Sequence, residues 1–228
     1  MASKTRVTIL DDHQSILDGY LYRLSKVPEI QVVDAIRFGN DLKPSLASNP
    51  TDVLILDISA PLGPNDPTPF PILHFISTLL QDYPDMAILI ISMHSEPALV
   101  QAVLEAGATG YVLKDDQDTI QNLGKIVLAV AAGGVYFSER IQKYLTRQPA
   151  SEPLLSPRQL EALCLAASYP NSTTAALAHK MGIANSSIRN LLSSAYLKLG
   201  VGTRAAAIAK ARQMGILVDE RPAKPDAS

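Results

Sequence analysis

Along the first 132 residues, short apolar runs alternate with longer segments in which apolar residues recur every three or four positions. The runs are Val7–Leu10, Gln31–Ala35, Val53–Leu56, Ala87–Ile91 and Gly110–Leu113. Most are rich in Val, Ile and Leu and bounded by turn residues, which predicts strands buried on both faces. The helix-like segments lie near 14–26, 40–48, 72–82, 97–106 and 118–132. Strand then helix, five times over, predicts a five-stranded parallel sheet, doubly wound, with helices on both sides. From Ser156 the pattern becomes wholly helical. Ser156-Pro157 reads as an N-cap followed by proline at the first helical position. Helices are expected near 157–168, 173–180, 185–198 and 203–213. The expected fold class is an α/β domain followed by an all-α four-helix domain.

The segments between these elements set expected boundaries. "APLGPNDPTPFP" at 60–71 carries five prolines, which excludes helix and central strand and reads as a loop after the third strand. Residues 134–153 mix Gly, Ser, Pro and charge and read as a connection, partly helical around Ser138–Thr146. The expected division is 1–133, a linker at 134–153, 154–217, and a disordered tail at 218–228. No internal repeat is visible.

Charge changes the picture of the two halves. Residues 1–148 hold 11 Lys and Arg against 17 Asp and Glu, and residues 149–228 hold 9 against 5. An acidic half joined to a basic half suggests that only the second meets a polyanion. The single cysteine, Cys164, allows no internal disulfide and reads as a small core residue in an apolar helix. The N-terminal MASKTR is not a signal peptide, and no apolar run reaches the roughly 18 residues of a membrane helix. The expectation is a reduced, cytoplasmic protein without a membrane partner.

In a parallel α/β sheet, sites form at the carboxyl ends of the strands. Asp11 and Asp12 end the first expected strand, Asp57 the third, Ser92 the fourth and Lys114 the fifth. Three carboxylates, a hydroxyl and an amine therefore share one rim. Clustered carboxylates repel unless a cation joins them, and hard oxygen donors in an open site suit Mg²⁺. Lys114 can balance charge on an added anion, and Ser92 can hydrogen-bond its oxygen. Phosphoryl transfer to a carboxylate is the chemistry this set fits. A lone Asp after a strand is more often a turn or cap, so the joint spacing carries the reading. His13 and His94 lie near the rim and, without a second soft ligand at metal spacing, read as ordinary rim residues.

"ILDDH", "LILDIS", "IISMHS" and "EAGATGYVLKDD" resemble the receiver domain of bacterial two-component response regulators, in order over residues 5–133. The resemblance implies that Asp57 accepts phosphate from a sensor histidine kinase. It implies that Asp12, Asp57 and the Ser59 carbonyl hold Mg²⁺ with help from Asp11. Lys114 would pair with the phosphoryl group, Ser92 would follow it inward, and Tyr111 would change rotamer with Ser92. The chain departs from that family in two places. Ala60 stands where Met is usual before the proline, and the loop after it is longer and proline-rich.

In the second half, Ala184–Leu199 has one apolar stripe at Ile188, Leu191, Leu192, Ala195 and Leu199, with Ser186, Arg189, Asn190, Ser193 and Leu197 opposite. A short helix and a Gly-containing turn precede it, the helix-turn-helix pattern. The bland alternative is a plain helical bundle with a solvated basic face. "LLSPRQLEALCLAA", "TTAALAHKMGI" and "KLGV" resemble the DNA-binding domain of NarL/LuxR-type regulators over about 154–217. The resemblance implies a recognition helix at 185–198 and a last helix, 203–213, that pairs two protomers. Arg189, Asn190 and Ser193 match base-facing positions; Ser187, Lys198, Arg204 and Thr174 match phosphate contacts. Ser186, Leu191 and Ala175 stand where Lys, His and Lys are common, so fewer cations face the DNA.

The resulting expectation is a two-domain transcriptional regulator, phosphorylated at Asp57 with Mg²⁺ and binding promoter DNA as a homodimer. It is not an enzyme beyond phosphorylation and dephosphorylation of itself. One rival has the same architecture, switched by a ligand or partner. Another is a metabolite phosphotransferase or phosphatase with an aspartyl intermediate, which the helical half disfavours. A nucleotide-binding Rossmann enzyme lacks its Gly-rich turn here.

Overall fold

In the computed structural model, residues 3–147 and 154–218 are described. The chain runs β1 (Thr5–Leu10), α1 (Gln14–Ser25), β2 (Ile30–Ile36), α2 (Leu42–Ser48), β3 (Val53–Leu56), β4 (Pro61–Gly63) and β5 (Asp66–Pro69). It continues with α3 (Ile72–Asp82), β6 (Ala87–Ser92), α4 (Pro97–Glu105), β7 (Gly110–Leu113), α5 (Gln117–Gln121), α6 (Leu123–Ala131), β8 (Tyr136–Phe137) and α7 (Glu139–Arg147). The remaining helices are α8 (Pro157–Ser168), α9 (Thr174–Lys180), α10 (Asn185–Leu199) and α11 (Arg204–Gln213). Residues 148–153 of the expected linker, and the expected tail beyond Val218, lie outside the described residues.

The main sheet has the order β2-β1-β3-β6-β7-β8, and each neighbouring pair is parallel. The period-two geometry of a strand sends successive side chains to opposite faces. Val53 and Ile55 of β3, with Leu89 and Ile91 of β6, pack in one layer under α1 and α6. Leu54, Leu56, Ile88 and Ile90 pack in the other, under α2, α3 and α4. Both layers are dry, which is why the central strands read as unbroken apolar runs rather than alternating ones. Because β2 and β3 lie on opposite sides of β1, a crevice opens at the carboxyl ends of β1 and β3.

Three local features differ from expectation. The helix expected at 118–132 is two helices, because Asn122 leaves helical geometry (ψ 15°) while its side-chain amide donates to Asp118 O at 2.9 Å. β8 adds a sixth strand, pairing only at Gly110↔Tyr136 and Tyr111↔Phe137. Two residues are too few to leave a periodic signature. The proline-rich loop is a separate two-stranded antiparallel hairpin, β4–β5, with pairs Pro61↔Pro69 and Gly63↔Asp66. Prolines are tolerated there because, among the described residues, neither strand pairs with a second neighbour to donate to.

The helical half begins with a full capping box. Gln159 N donates to Ser156 Oγ, and Ser156 N donates to Gln159 Oε1 at 2.9 Å. Ile188, Leu192, Ala195 and Leu199 bury one face of α10 against α8 and α9. Gly200 ends α10 in the left-handed conformation (φ 70°), where a side chain would be strained. The halves touch: α8 packs against α3, α4 and β5, and one apolar cluster continues from Ile72 and Leu73 to Leu160 and Leu163. Among the described residues no helix is long and apolar enough to cross a membrane.

Candidate acidic site and basic helical face

β1, β3, β6 and β7 end in the same crevice, and each delivers its expected side chain there. Asp11, Asp12, Asp57 and Ser92 are buried. Lys114 Nζ lies 2.6 Å from Asp11 Oδ2 and 2.9 Å from Asp57 Oδ2, with only 6% of its side chain exposed. One ammonium thus bridges the carboxylates of two strands that are not neighbours of its own. The other oxygens are held by the backbone: His13 N donates to Asp11 Oδ1, and Ser59 N to Asp57 Oδ1, each at 3.0 Å. Burial, then the nearby Asp57 charge, raises the Asp11 carboxyl above its usual range, while Lys114 opposes the rise.

Asp11, Asp12, His13 and Asp57 each place a ligand atom within 4.8 Å of the others. Three carboxylates around one ammonium leave excess negative charge in a buried place, and their oxygens are the donors a hard divalent cation takes. The residues fit such an ion. His13, read from sequence as an ordinary rim residue, has its Nδ1 3.3 Å from Asp12 Oδ1 and 3.5 Å from Asp11 Oδ1. Its adjacency to Asp12 was the only available signal, and adjacency alone does not show where a ring points. Ser59 lies at the edge of the same site, two residues after Asp57.

Ser92 and Tyr111 are fully buried and hold the loop after β6. His94 N donates to Ser92 Oγ at 3.1 Å, and Tyr111 Oη donates to His94 O at 2.8 Å. Burial pushes the Tyr111 hydroxyl well above its ordinary range, so it stays a donor. Ser138, outside the expected set, accepts from Leu113 N at 3.2 Å and fixes the strand end that carries Lys114.

On the helical half, Ser187, Arg189, Asn190, Ser193 and Lys198 are all exposed on α10. The contact between the halves uses α8 and leaves this face open. Thr174 opens α9, whose N-cap is Thr173. Arg204 is partly committed elsewhere: its Nη1 donates to Ser172 O at 2.7 Å, tying α11 to the turn before α9. Leu197, also on this face, is 81% exposed.

With this geometry in view, the comparisons with known proteins are direct. Residues 7–124 match the response regulator receiver domain family. The chain is 30% identical to the probable transcriptional regulatory protein NarL of Mycobacterium tuberculosis, over 94% of this chain and 96% of that one. It is also 30% identical to the transcriptional regulatory protein DegU of Brevibacillus brevis, over 64% of this chain and 58% of the relative. A solved structure of RcsB from Salmonella enterica serovar Typhimurium, bound to promoter rprA in the presence of the phosphomimetic BeF3⁻, superimposes with a TM-score of 0.65 and 25% identity. It spans 91% of this chain and 98% of that one. Strand-end carboxylates, a buried lysine between them, and whole-length likeness to transcriptional regulators together place the chain in the response regulator family, among the NarL/LuxR-type members.

Proposed function

We propose that Asp57 accepts a phosphoryl group from the phosphohistidine of a sensor histidine kinase, and that the phosphorylated chain binds promoter DNA as a homodimer. The observation that carries the reading is the buried contact of Lys114 with both Asp11 and Asp57. It serves no packing purpose that an apolar residue would not serve better, since a buried ion pair is weak support for stability. In the reaction a carboxylate oxygen of Asp57 bonds to phosphorus as the phosphorus–nitrogen bond of the donor breaks. Lys114 already touches Asp57, so it is in place to neutralise charge on the arriving group. Asp11, Asp12 and Asp57 would hold Mg²⁺, which would supply charge neutralisation beside the transferred oxygens. Ser92 would then turn its hydroxyl from His94 N towards the phosphoryl oxygen, and the loop after β6 would lose one of its two anchors.

On the helical half, residues 154–217 would form the DNA-binding domain. Arg189, Asn190 and Ser193 would read base edges, with Ser187, Lys198, Thr174 and the remaining Arg204 donors near phosphates. The RcsB structure bound to promoter rprA supports that use of the same architecture, and another neighbour is described as two RcsB dimers bound to two parallel DNAs. The metabolite phosphatase reading loses support because the relatives matched along this chain are named as regulators. The test is incubation of the full chain with Mg²⁺ and acetyl phosphate, followed by intact mass and light scattering. One added phosphoryl group together with dimerisation is expected. A chain that takes no phosphoryl group leaves the ligand-switched reading in its place.

A further inference from the structure

The stretch after Asp57 is where this chain departs from its family's pattern, and it is also one of the places where the two halves meet. Ala60 N donates to Asp57 O at 3.3 Å, and Phe70 N donates to Ala60 O at 2.9 Å. Both ends of the β4–β5 hairpin are therefore bonded into the Asp57 turn. The hairpin is also braced. Phe70 is buried and lies so close over Gly39 that a Cβ there would collide with its ring. Its ring stacks, tilted, on Phe75 with centroids 4.2 Å apart. Five prolines fix φ along the segment and reduce the freedom it would otherwise lose on ordering.

The arm reaches the other half at its second strand. Ser168 Oγ, at the end of α8, donates to Pro69 O at 2.8 Å. Beside that bond is a small apolar cavity, lined from one side by Ile58, Pro69 and Phe70 and from the other by Cys164, Ser168 and Leu217. Ile58 is the residue directly after Asp57. A second polar tie joins α3 to α8, where His74 Nδ1 lies 3.2 Å from Glu161 Oε1, and Arg158 donates to Glu161 Oε2 at 2.9 Å.

We infer that the proline-rich hairpin is an intramolecular docking element: it seats the DNA-binding half on the receiver through α8, and it ties that seat to the occupancy of Asp57. The second part rests on the phosphoacceptor reading above; the first does not. The seat leaves Arg189, Asn190 and Ser193 exposed, so it does not shield the base-reading face. What it fixes is direction. Two copies whose recognition helices are pinned to their receivers can reach successive major grooves only if the pinned directions match one turn of DNA. Loosening the hairpin would release that constraint.

Cys164 is the chain's single cysteine and serves as a native reporter of the seat. Cys164 is half-buried beside the cavity between the halves, and burial pushes its thiol up to about 12, so parting of the halves should speed its labelling at pH 8. The experiment times the labelling of Cys164 in the full chain by an aromatic disulfide reagent, with and without Mg²⁺ and beryllofluoride. Fluorine NMR reads beryllofluoride binding independently. Ser168→Ala, which removes one hydrogen bond and little volume, should speed labelling of the unliganded chain about three- to tenfold. Beryllofluoride should speed the wild type. A variant with residues 62–68 replaced by Asn-Gly should label fast in both conditions. Circular dichroism identifies a truncated chain that has not folded, and Ser168→Ala then decides alone. Wild-type labelling rates in Ser168→Ala would overturn the docking role. Beryllofluoride that binds without altering Cys164 would overturn the coupling. If beryllofluoride does not bind, it is the phosphoacceptor reading that fails, and the Ser168→Ala arm still judges the docking.

Discussion

The acidic crevice and the outer face of α10 are sites of opposite construction. The crevice gathers side chains from four strand ends and buries them: Lys114 touches Asp11 and Asp57, and Ser59 N and His13 N hold the other carboxylate oxygens. The α10 face presents Arg189, Asn190, Ser193 and Lys198 from one helix, all exposed. Groups in the crevice share charges in a place of low dielectric, so each depends on the others. Groups on the helix face are screened and spaced by the helix itself, so each acts alone. The crevice should fail as a unit, and the helix face should fail residue by residue.

The largest effect tests the crevice. Asp57→Asn keeps the shape and removes the proposed phosphoacceptor, and acetyl phosphate should add nothing to its intact mass in the presence of Mg²⁺. A variant that still gains one phosphoryl group would move the acceptor to Asp11 or Asp12 and break the reading of the site. Next is Lys114→Ala. Removing the ammonium leaves Asp11 and Asp57 facing each other without it, and breaking a buried pair in this way costs about 3–5 kcal/mol. Thermal melting should show the loss, and added Mg²⁺ should recover more in this variant than in the wild type. Equal Mg²⁺ stabilisation of both would separate the lysine from the cation's charge problem. Lys114→Ala and Ser92→Ala should also retain some phosphorylation yet lose dimerisation, measured by light scattering.

Smaller effects belong to the helix face. If Arg189 reads a base as proposed, Arg189→Ala should cost about 1–3 kcal/mol on a cognate site and blur its sequence preference, because its guanidinium fork would pair with one guanine edge. Lys198→Ala should weaken cognate and random duplexes alike and reduce the salt slope by about one unit, with little change in preference. The sharpest form of the comparison is a pair of double-mutant cycles. Asp11→Asn with Lys114→Ala, melted without Mg²⁺, should be strongly non-additive. Arg189→Ala with Lys198→Ala, titrated with DNA, should add within about 0.5 kcal/mol, because the residues lie more than two helical turns apart. Coupling of similar size in both cycles would erase the distinction between the two sites.

Much of this was legible in the chain. β3 and β6, at the centre of the sheet, lie where unbroken apolar runs announced them, since a strand buried on both faces has few polar positions, whereas the edge strand β2 keeps an exposed Gln31 and carries Asp34 within its run. Asp11, Asp57, Ser92 and Lys114 could be placed in one crevice because a parallel sheet must deliver all its strand ends to the same side. Ser156 announced α8 because an N-cap is a local bond between residues three apart. The short pieces were not legible: β8 is two residues, and Asn122 divides a helix whose apolar spacing runs through it unchanged. The hairpin at 60–71 was read as a loop because five prolines argue against a ladder, and only the missing second neighbour of each strand removes that argument.

Sequence by itself determined the elements, the layer architecture, the strand-end chemistry and the direction in which α10 turns its polar face. Each of these follows from rules acting within a few residues or from a topology with one handedness. Tertiary structure alone decided that Lys114 sits between Asp11 and Asp57, that His13 turns into the acidic cluster, and that Ser168 bonds to Pro69 across the two halves. The Lys114 and Ser168 contacts join residues carried by separate strands or 99 apart, and the His13 contacts depend on which way a ring turns, so no periodicity records them. They exist because two surfaces, each folded by its own local rules, happen to close on one another.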